Sequence, residues 1–344
     1  MKRFVAAMLV LGVVLLAVVV ARTDLGVVMQ RLGQLGPAAL GGIFAAFLLG
    51  HVALASSWLI TLPGVRLTPR WLYGVWKVLM VGSALESVTP FAGLGGEPVK
   101  AILLKRHYGI PYTTGAASLV LTRMTDLFAQ VAFVAVGLAL LFREGHLPVA
   151  YRWAAAGGMV LMLLMVGGFL LVQTERGFSR LRAWLERGWL GDRLSGRAVA
   201  ALDAAHEVED QLVDFYDVQR GRVAASSFAA LLEWTGNAVA VWIAVNAFGS
   251  PIGFDDALVI EAFLALVRTT FFFVPGDLGT QEAAQVMICG AITGSPETGL
   301  ALATVRRARD LLWIAWGLGI GGGYSLRDVR REAAEIEAGE RRVD

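Results

Sequence analysis

The chain has 344 residues, of which 56% are hydrophobic and 17% charged, and its mean hydropathy is +0.63. Soluble domains carry about 25% charged residues, so this composition predicts a polytopic membrane protein. The net charge of +2 is too small, and too scattered along the chain, for a nucleic-acid-binding protein. A single cysteine excludes an intramolecular disulfide, and the four histidines lack metal-ligand spacing. We therefore predict no metal and no cofactor.

A membrane helix needs about 20 mostly apolar residues. The first candidate resembles a signal peptide, but its apolar run is longer than the usual core of a cleaved one. We predict an uncleaved helix there, with cleavage after Ala21 as the alternative. The predicted crossings are Phe4–Ala21, Pro37–Leu62, Thr114–Phe142, Ala150–Val172, Val223–Phe248 and Thr298–Ser325.

Two further regions, Trp71–Tyr108 and Asp255–Gly294, are broken in the middle by glycine and proline. They could cross the membrane or re-enter as hairpins. Basic residues favour the cytoplasmic side in short loops. The re-entrant interpretation places the Arg-rich loop 173–222 and both termini in the cytoplasm, whereas two crossings would place that loop outside. We predict an all-α chain with six crossings plus two hairpins in the cell (inner) membrane, with eight crossings as the alternative.

The two broken regions contain related sequences. Pro90 through Gly93-Leu94-Gly95-Gly96 to Glu97 is repeated 185 residues later, from Pro275 to Glu282. Downstream, an Arg-x-x-Asp-Leu sequence begins at Arg123 and again at Arg307, 184 residues apart. This pattern predicts an internal duplication. The segments are 1–36 (first helix and external loop), 37–142 (repeat one), 150–172 (linking helix), 173–222 (cytoplasmic connector), 223–325 (repeat two) and 326–344 (cytoplasmic tail). Since one extra helix separates the repeats, the second is predicted to be inverted.

The glycine turns each precede a short helix. Irregular backbone at membrane depth is tolerated only where protein buries it or where it lines a wet cavity. Gly95 and Gly96 precede one helix and Gly279 the other. Unpaired amide groups at a helix start attract anions. We predict that the two helix starts form a polar point near the middle of the bilayer that contacts an anionic headgroup.

The repeated Arg-x-x-Asp pairs are the strongest candidates for chemistry. Arg123 and Asp126 share one helix face, as do Arg307 and Asp310, and Arg309 adds a further charge. Ionised residues at membrane depth cost about 2.5–3.5 kcal/mol on insertion scales. Two interpretations stay open: each pair neutralises itself and pins the helix, or the arginines contact the phosphate of a lipid headgroup.

The repeated glutamates also have two interpretations. Glu97 and Glu282 could cap the new helices, or they could titrate as a proton-coupling pair. Lys100, a further candidate for headgroup binding, aligns with Gln285 in the second copy. The two copies are therefore not chemically equivalent.

At these residues the chain resembles the flippase-like prokaryotic family typified by the N-terminal membrane domain of lysylphosphatidylglycerol synthase/flippase proteins. The resemblance runs from about Phe4 to Leu326 and is carried by the two glycine motifs, by Lys100 and by the Arg-x-x-Asp sequence at Arg123. It implies translocation of a lipid or a lipid-linked group between leaflets. Two-part members add a soluble domain that transfers an amino acid, and the sequence to Asp344 contains none, so that activity is not expected.

Three main functions remain open, with a channel as a fourth and weaker alternative. The first is a flippase whose partner is a membrane lipid substrate. The second is an enzyme acting on lipid-linked substrates, which the lack of a Ser-His-Asp, Cys-His or metal arrangement disfavours. The third is a non-transporting accessory or scaffold protein for an envelope-lipid biosynthesis enzyme.

Overall fold

The computed structural model describes residues 25–88, 96–143, 149–174, 219–271 and 279–340, and every regular element in those ranges is an α-helix. The prediction of an all-α chain is confirmed. The predicted helix Phe4–Ala21 and most of the connector 173–222 lie outside the described residues. The helices are α1 (Leu25–Gly33), α2 (Pro37–Thr61), α3 (Pro69–Val88), α4 (Glu97–Tyr108), α5 (Tyr112–Arg143), α6 (Val149–Thr174), α7 (Arg220–Ala247), α8 (Phe254–Thr270), α9 (Thr280–Thr293) and α10 (Pro296–Glu340).

Four of the described helices are long and apolar enough to cross a membrane: α2, α5, α6 and α7. They coincide with four of the six predicted crossings. The predicted crossing Thr298–Ser325 lies within α10, whose 45 residues include several charges in the first half. These charges, rather than its length, separate α10 from the other four.

The centre of the molecule is the close pairing of α2 with α7, the first helices of the two predicted repeats. Ser57 on α2 lies 2.8 Å from Ser226 near the start of α7. Further along, Gly50 meets the backbone of Glu233, where an added Cβ would lie 3.3 Å from the carbonyl oxygen. Because α7 numbers rise as α2 numbers fall, the helices are antiparallel. An inverted duplication requires this direction for its first helices, and the inversion itself stays a prediction.

Each broken region is a helical hairpin. In the first, Tyr108 at the end of α4 donates to the carbonyl of Gly74 near the start of α3, at 3.3 Å. At its other end, Gly96 packs so closely on Gly82 that an added Cβ would overlap the Gly82 carbonyl. The second hairpin pairs α9 with α8 through the Gln281 amide and the Leu264 carbonyl, at 3.3 Å. The turns 89–95 and 272–278 lie outside the described residues, so the re-entrant course in a membrane stays a prediction.

Each hairpin packs against the last helix of the other half. A Cβ at Gly317 of α10 would overlap the backbone of Met80 in α3. In the other half, a Cβ at Gly137 of α5 would overlap Ala262 of α8. Small residues let helix backbones approach closely where no hydrophobic driving force acts between helices. The two contacts are equivalent, because each joins the last helix of one half to the hairpin of the other half. A duplicated fold is expected to have such a pair of contacts.

Hydrogen bonds define the two ends of the helix assembly. Arg222 donates to the carbonyls of Ile60 at 2.8 Å and Leu62 at 2.9 Å, and so joins the start of α7 to the end of α2. We call this the first end; α3 and α5 also begin there. At the second end, Ser250 after α7 lies 2.8 Å from Thr298 in α10. The α10 helix runs back to the first end, where the hydroxyl of Tyr324 lies 2.9 Å from that of Tyr108.

Candidate functional site

The polar middle of the assembly lies beside the α2–α7 crossing. His51 follows Gly50 on α2 and is buried. Its ring meets the Trp313 ring edge-on, with centroids 6.0 Å apart. The charges of Lys100 and Glu86 from the first hairpin, and of Arg309 from α10, act on His51. Charged side chains from both halves therefore lie near His51, beside the α2–α7 crossing.

At the tip of the first hairpin, one ammonium group holds two carboxylates. Lys100 is buried, and its Nζ lies 2.8 Å from Glu86 Oε1 and 3.0 Å from Glu97 Oε1. Its aliphatic stem lies across Gly82, where any side chain would collide with it. The predicted site residues Lys100 and Glu97 are thus in direct contact, and Glu86 joins them.

The second hairpin arranges its glutamate differently. Glu282 accepts a hydrogen bond from the backbone N–H of Gly279 at 2.8 Å and forms an ion pair with Arg307 of α10. Gly279 has φ of 86°, a conformation that glycine adopts readily and other residues rarely do. Glu282 therefore caps α9 and also ties it to α10.

Two more ion pairs follow on α10. Arg306 pairs with Glu261 of α8, and both side chains are almost fully buried, with 6% and 1% exposed. Arg309 pairs with the neighbouring Asp310 at 2.8 Å, and its guanidinium lies 4.7 Å from the centre of the Phe47 ring. The second half thus matches each of these arginines with a carboxylate.

Arg123 has the weakest pairing of the predicted cations. Its Nη1 lies 3.5 Å from Asp126, and 69% of its side chain is exposed. Asp126 also accepts a 3.0 Å hydrogen bond from the indole N–H of Trp234 on α7. The neighbouring residue Thr122 bonds to Thr61 in the last turn of α2, at 2.8 Å. Arg123 therefore lies beside the level at which α2 ends, near the first end.

The sequence motifs did not point to several polar residues beside the α2–α7 crossing, which we call the middle layer. His51 and Glu233 stand alone in long apolar helices, and that isolation is itself a signal, because such residues are costly in a membrane. Glu233 accepts a 3.2 Å hydrogen bond from Asn237. The charges of Asp126 and Arg268 also act on Glu233.

Other predicted features fall outside this cluster. Gly95 lies in the undescribed turn 89–95. Within the described ranges, no three His, Cys, Asp or Glu side chains are grouped so that they could hold a metal ion. A small cavity between α5, α6 and α8 has a volume of about 10 Å³, close to that of one water molecule. Its lining is apolar, from Val134 on α5 to Leu266 on α8, so it is not a headgroup site.

Comparison with known proteins gives a family. The family described as "Lysylphosphatidylglycerol synthase TM region" matches residues 5–319, which confirms the resemblance stated above. A "UPF0104 membrane protein" from Methanothermobacter thermautotrophicus is 26% identical over 344 aligned residues, covering 93% of this chain and 95% of that protein. No solved structure matches the chain.

Proposed function

Since this chain belongs to the lysylphosphatidylglycerol synthase transmembrane-region family, we propose that it is a lipid flippase rather than an enzyme. It would move the headgroup of an anionic or lipid-linked substrate between leaflets, while the acyl tails stay in the bilayer. The observation that carries the proposal is the succession of charged side chains through the assembly. Arg123 follows Thr122, which contacts the last turn of α2. Lys100 holds Glu86 and Glu97 in the first hairpin, and Arg307 holds Glu282 at the start of α9 in the second.

A headgroup needs such a succession because hydrocarbon offers its charge no partner. Unsatisfied polar groups cost several kcal/mol in hydrocarbon. Guanidinium groups suit phosphate because they donate two parallel hydrogen bonds. We assign headgroup contacts to the side chains of Arg123, Lys100, Arg307 and Arg309 and to the backbone at Gly95, Gly96 and Gly279. Exchangeable charge partners are the carboxylates of Glu97, Asp126, Glu282 and Asp310.

The membrane orientation follows from the distribution of basic residues. The first end has the Arg66–Arg70 loop and the Lys105–Arg106 pair, and the Arg-rich segment 173–222 leads into α7 there. The second end has Arg31, Arg143 and Arg152. Since basic residues in short loops favour the cytoplasm, the first end and both termini would face the cytoplasm of the cell membrane.

Cysteine labelling tests this orientation together with the hairpins. On a Cys289→Ser background, a cysteine at Lys105 should react only with reagent on the cytoplasmic side. A cysteine at Asp255 should react only from outside. Labelling of Lys105→Cys from outside would show that the first broken region crosses the membrane, and the inverted arrangement would be lost.

Transport is tested with purified protein in vesicles that contain a fluorescent anionic lipid. Wild-type protein should expose inner-leaflet lipid to an external quencher faster than empty vesicles do, under at least one ion gradient. Lys100→Gln should slow this movement, whereas Arg143→Gln, at the exposed end of α5, should not. Folded wild-type protein that moves no lipid under any gradient would refute the flippase and favour an accessory role in envelope-lipid synthesis.

A further inference from the structure

The two halves use their equivalent glutamates differently. Glu282 of the second half pairs with Arg307 on the last helix of that half. The duplication places Glu97 and Arg123 at the equivalent positions of the first half. There Glu97 pairs instead with Lys100, at 3.0 Å. Gln285 occupies the position of Lys100 in the second half, so Glu282 has no such lysine within its hairpin.

From this difference we propose that Arg123 is a phosphate-binding residue open at the first end, and that Lys100 keeps it available by holding Glu97. The inference rests on the proposed function for its site, but it concerns binding and does not require transport. Arg307 does not have this role, because its guanidinium is already held by Glu282.

The surroundings of Arg123 favour an anionic ligand. With 69% of its side chain exposed, it has room for a ligand, whereas Arg307 is only 23% exposed. Its contact with Asp126 is long, at 3.5 Å, and the Asp126 carboxylate also accepts from Trp234. An arginine near a membrane end extends its charge towards the headgroup region. Phosphate oxygens in that region match the two parallel donors of a guanidinium.

Lys100 has the right position to control this site. Without Lys100, Glu86 and Glu97 would be two carboxylates on the hairpin next to Arg123. The charge of Arg123 already acts on Glu86. Lys100 bonds to both, at 2.8 and 3.0 Å, and its buried stem is fixed against Gly82. One ammonium with two carboxylates leaves one net negative charge, but both carboxylates are held by a group that cannot leave easily.

The test measures equilibrium binding to the full chain in a neutral detergent, with short-chain phosphatidic acid as probe. Arg123→Gln should weaken binding about tenfold or more, because a charged hydrogen-bonded contact is lost. The control Arg143→Gln, on the same helix, should bind as wild type. Inorganic phosphate is titrated in parallel. If inorganic phosphate displaces phosphatidic acid at a concentration similar to that at which phosphatidic acid binds, the ligand is free phosphate. If phosphatidic acid binds and inorganic phosphate does not displace it, the site belongs to a lipid headgroup.

A second set of variants tests the role of Lys100 while Arg123 is kept. Glu86→Gln/Lys100→Gln removes one charge of each sign and makes the first hairpin resemble the second. Glu97 should then pair with Arg123, and binding should weaken about tenfold. Adding Glu97→Gln should restore binding to within about threefold of wild type.

Two results would overturn the proposal. Unchanged binding in folded Arg123→Gln protein would exclude the phosphate site. Failure of the triple variant to restore binding, with unfolding temperatures equal to those of the double variant, would exclude control by Lys100. Binding that depends on Arg123 without any lipid movement would leave this inference standing and refute the flippase alone.

Discussion

The buried ion pair between Arg306 and Glu261 gives the sharpest prediction for stability. With 6% and 1% of their side chains exposed, neither residue can exchange its partner for water. Removal of one member of a buried pair costs about 3–5 kcal/mol, because a charge is left uncompensated. The charges of Arg309 and Arg268 also act on Arg306. Loss of the carboxylate would therefore leave three neighbouring positive charges, whereas loss of Arg306 leaves Glu261 near two arginines.

We expect Glu261→Leu to lower the free energy of unfolding by about 5 kcal/mol and Arg306→Met by about 3 kcal/mol. The double variant should lie within about 1 kcal/mol of wild type, because an apolar pair replaces a desolvated ionic one. Equilibrium unfolding by sodium dodecyl sulfate in mixed micelles measures all three. Arg143→Met, at an exposed position, is the control and should change stability by less than about 0.5 kcal/mol. If the double variant loses the sum of the two single losses in free energy of unfolding, Glu261 and Arg306 are not energetically coupled. If Glu261→Leu loses less stability than Arg306→Met, the argument from the neighbouring arginines is refuted.

Three further changes test packing and capping, each by the same unfolding measurement. Gly317→Ala should cost about 1–3 kcal/mol because its Cβ overlaps the α3 backbone, whereas Gly319→Ala, with nothing within 4 Å, should not destabilise; equal effects would mean that α3 and α10 are farther apart. Arg222→Ala should cost about 1.5–3 kcal/mol because it removes charged hydrogen bonds to the last carbonyls of α2, and the exposed Arg220→Ala should be nearly neutral. Gly279→Ala should cost about 1–2 kcal/mol because its φ is 86°, and an unchanged stability would show that the α9 start relaxes.

Much of the fold could be predicted from sequence because hydropathy acts locally. The apolar lengths of α2, α5, α6 and α7 predicted their bounds to within a few residues. The repeated Pro-to-Glu and Arg-x-x-Asp motifs also pointed to the charged residues that line the hairpins. The middle layer was harder to predict, since His51 and Glu233 belong to no repeated motif and become neighbours of other charges only when α2 and α7 cross.

The sequence by itself determined a helical membrane chain, the bounds of α2, α5, α6 and α7 and the membership of a family, because each depends on local composition or on motifs along the chain. Only the tertiary structure decided which charges pair. Glu97 and Glu282 stand at equivalent positions, with equivalent arginines downstream. Yet one pairs with Lys100 inside its hairpin and the other with Arg307 on another helix. Ion pairing falls off with the distance between side chains, and that distance is set by how the helices pack.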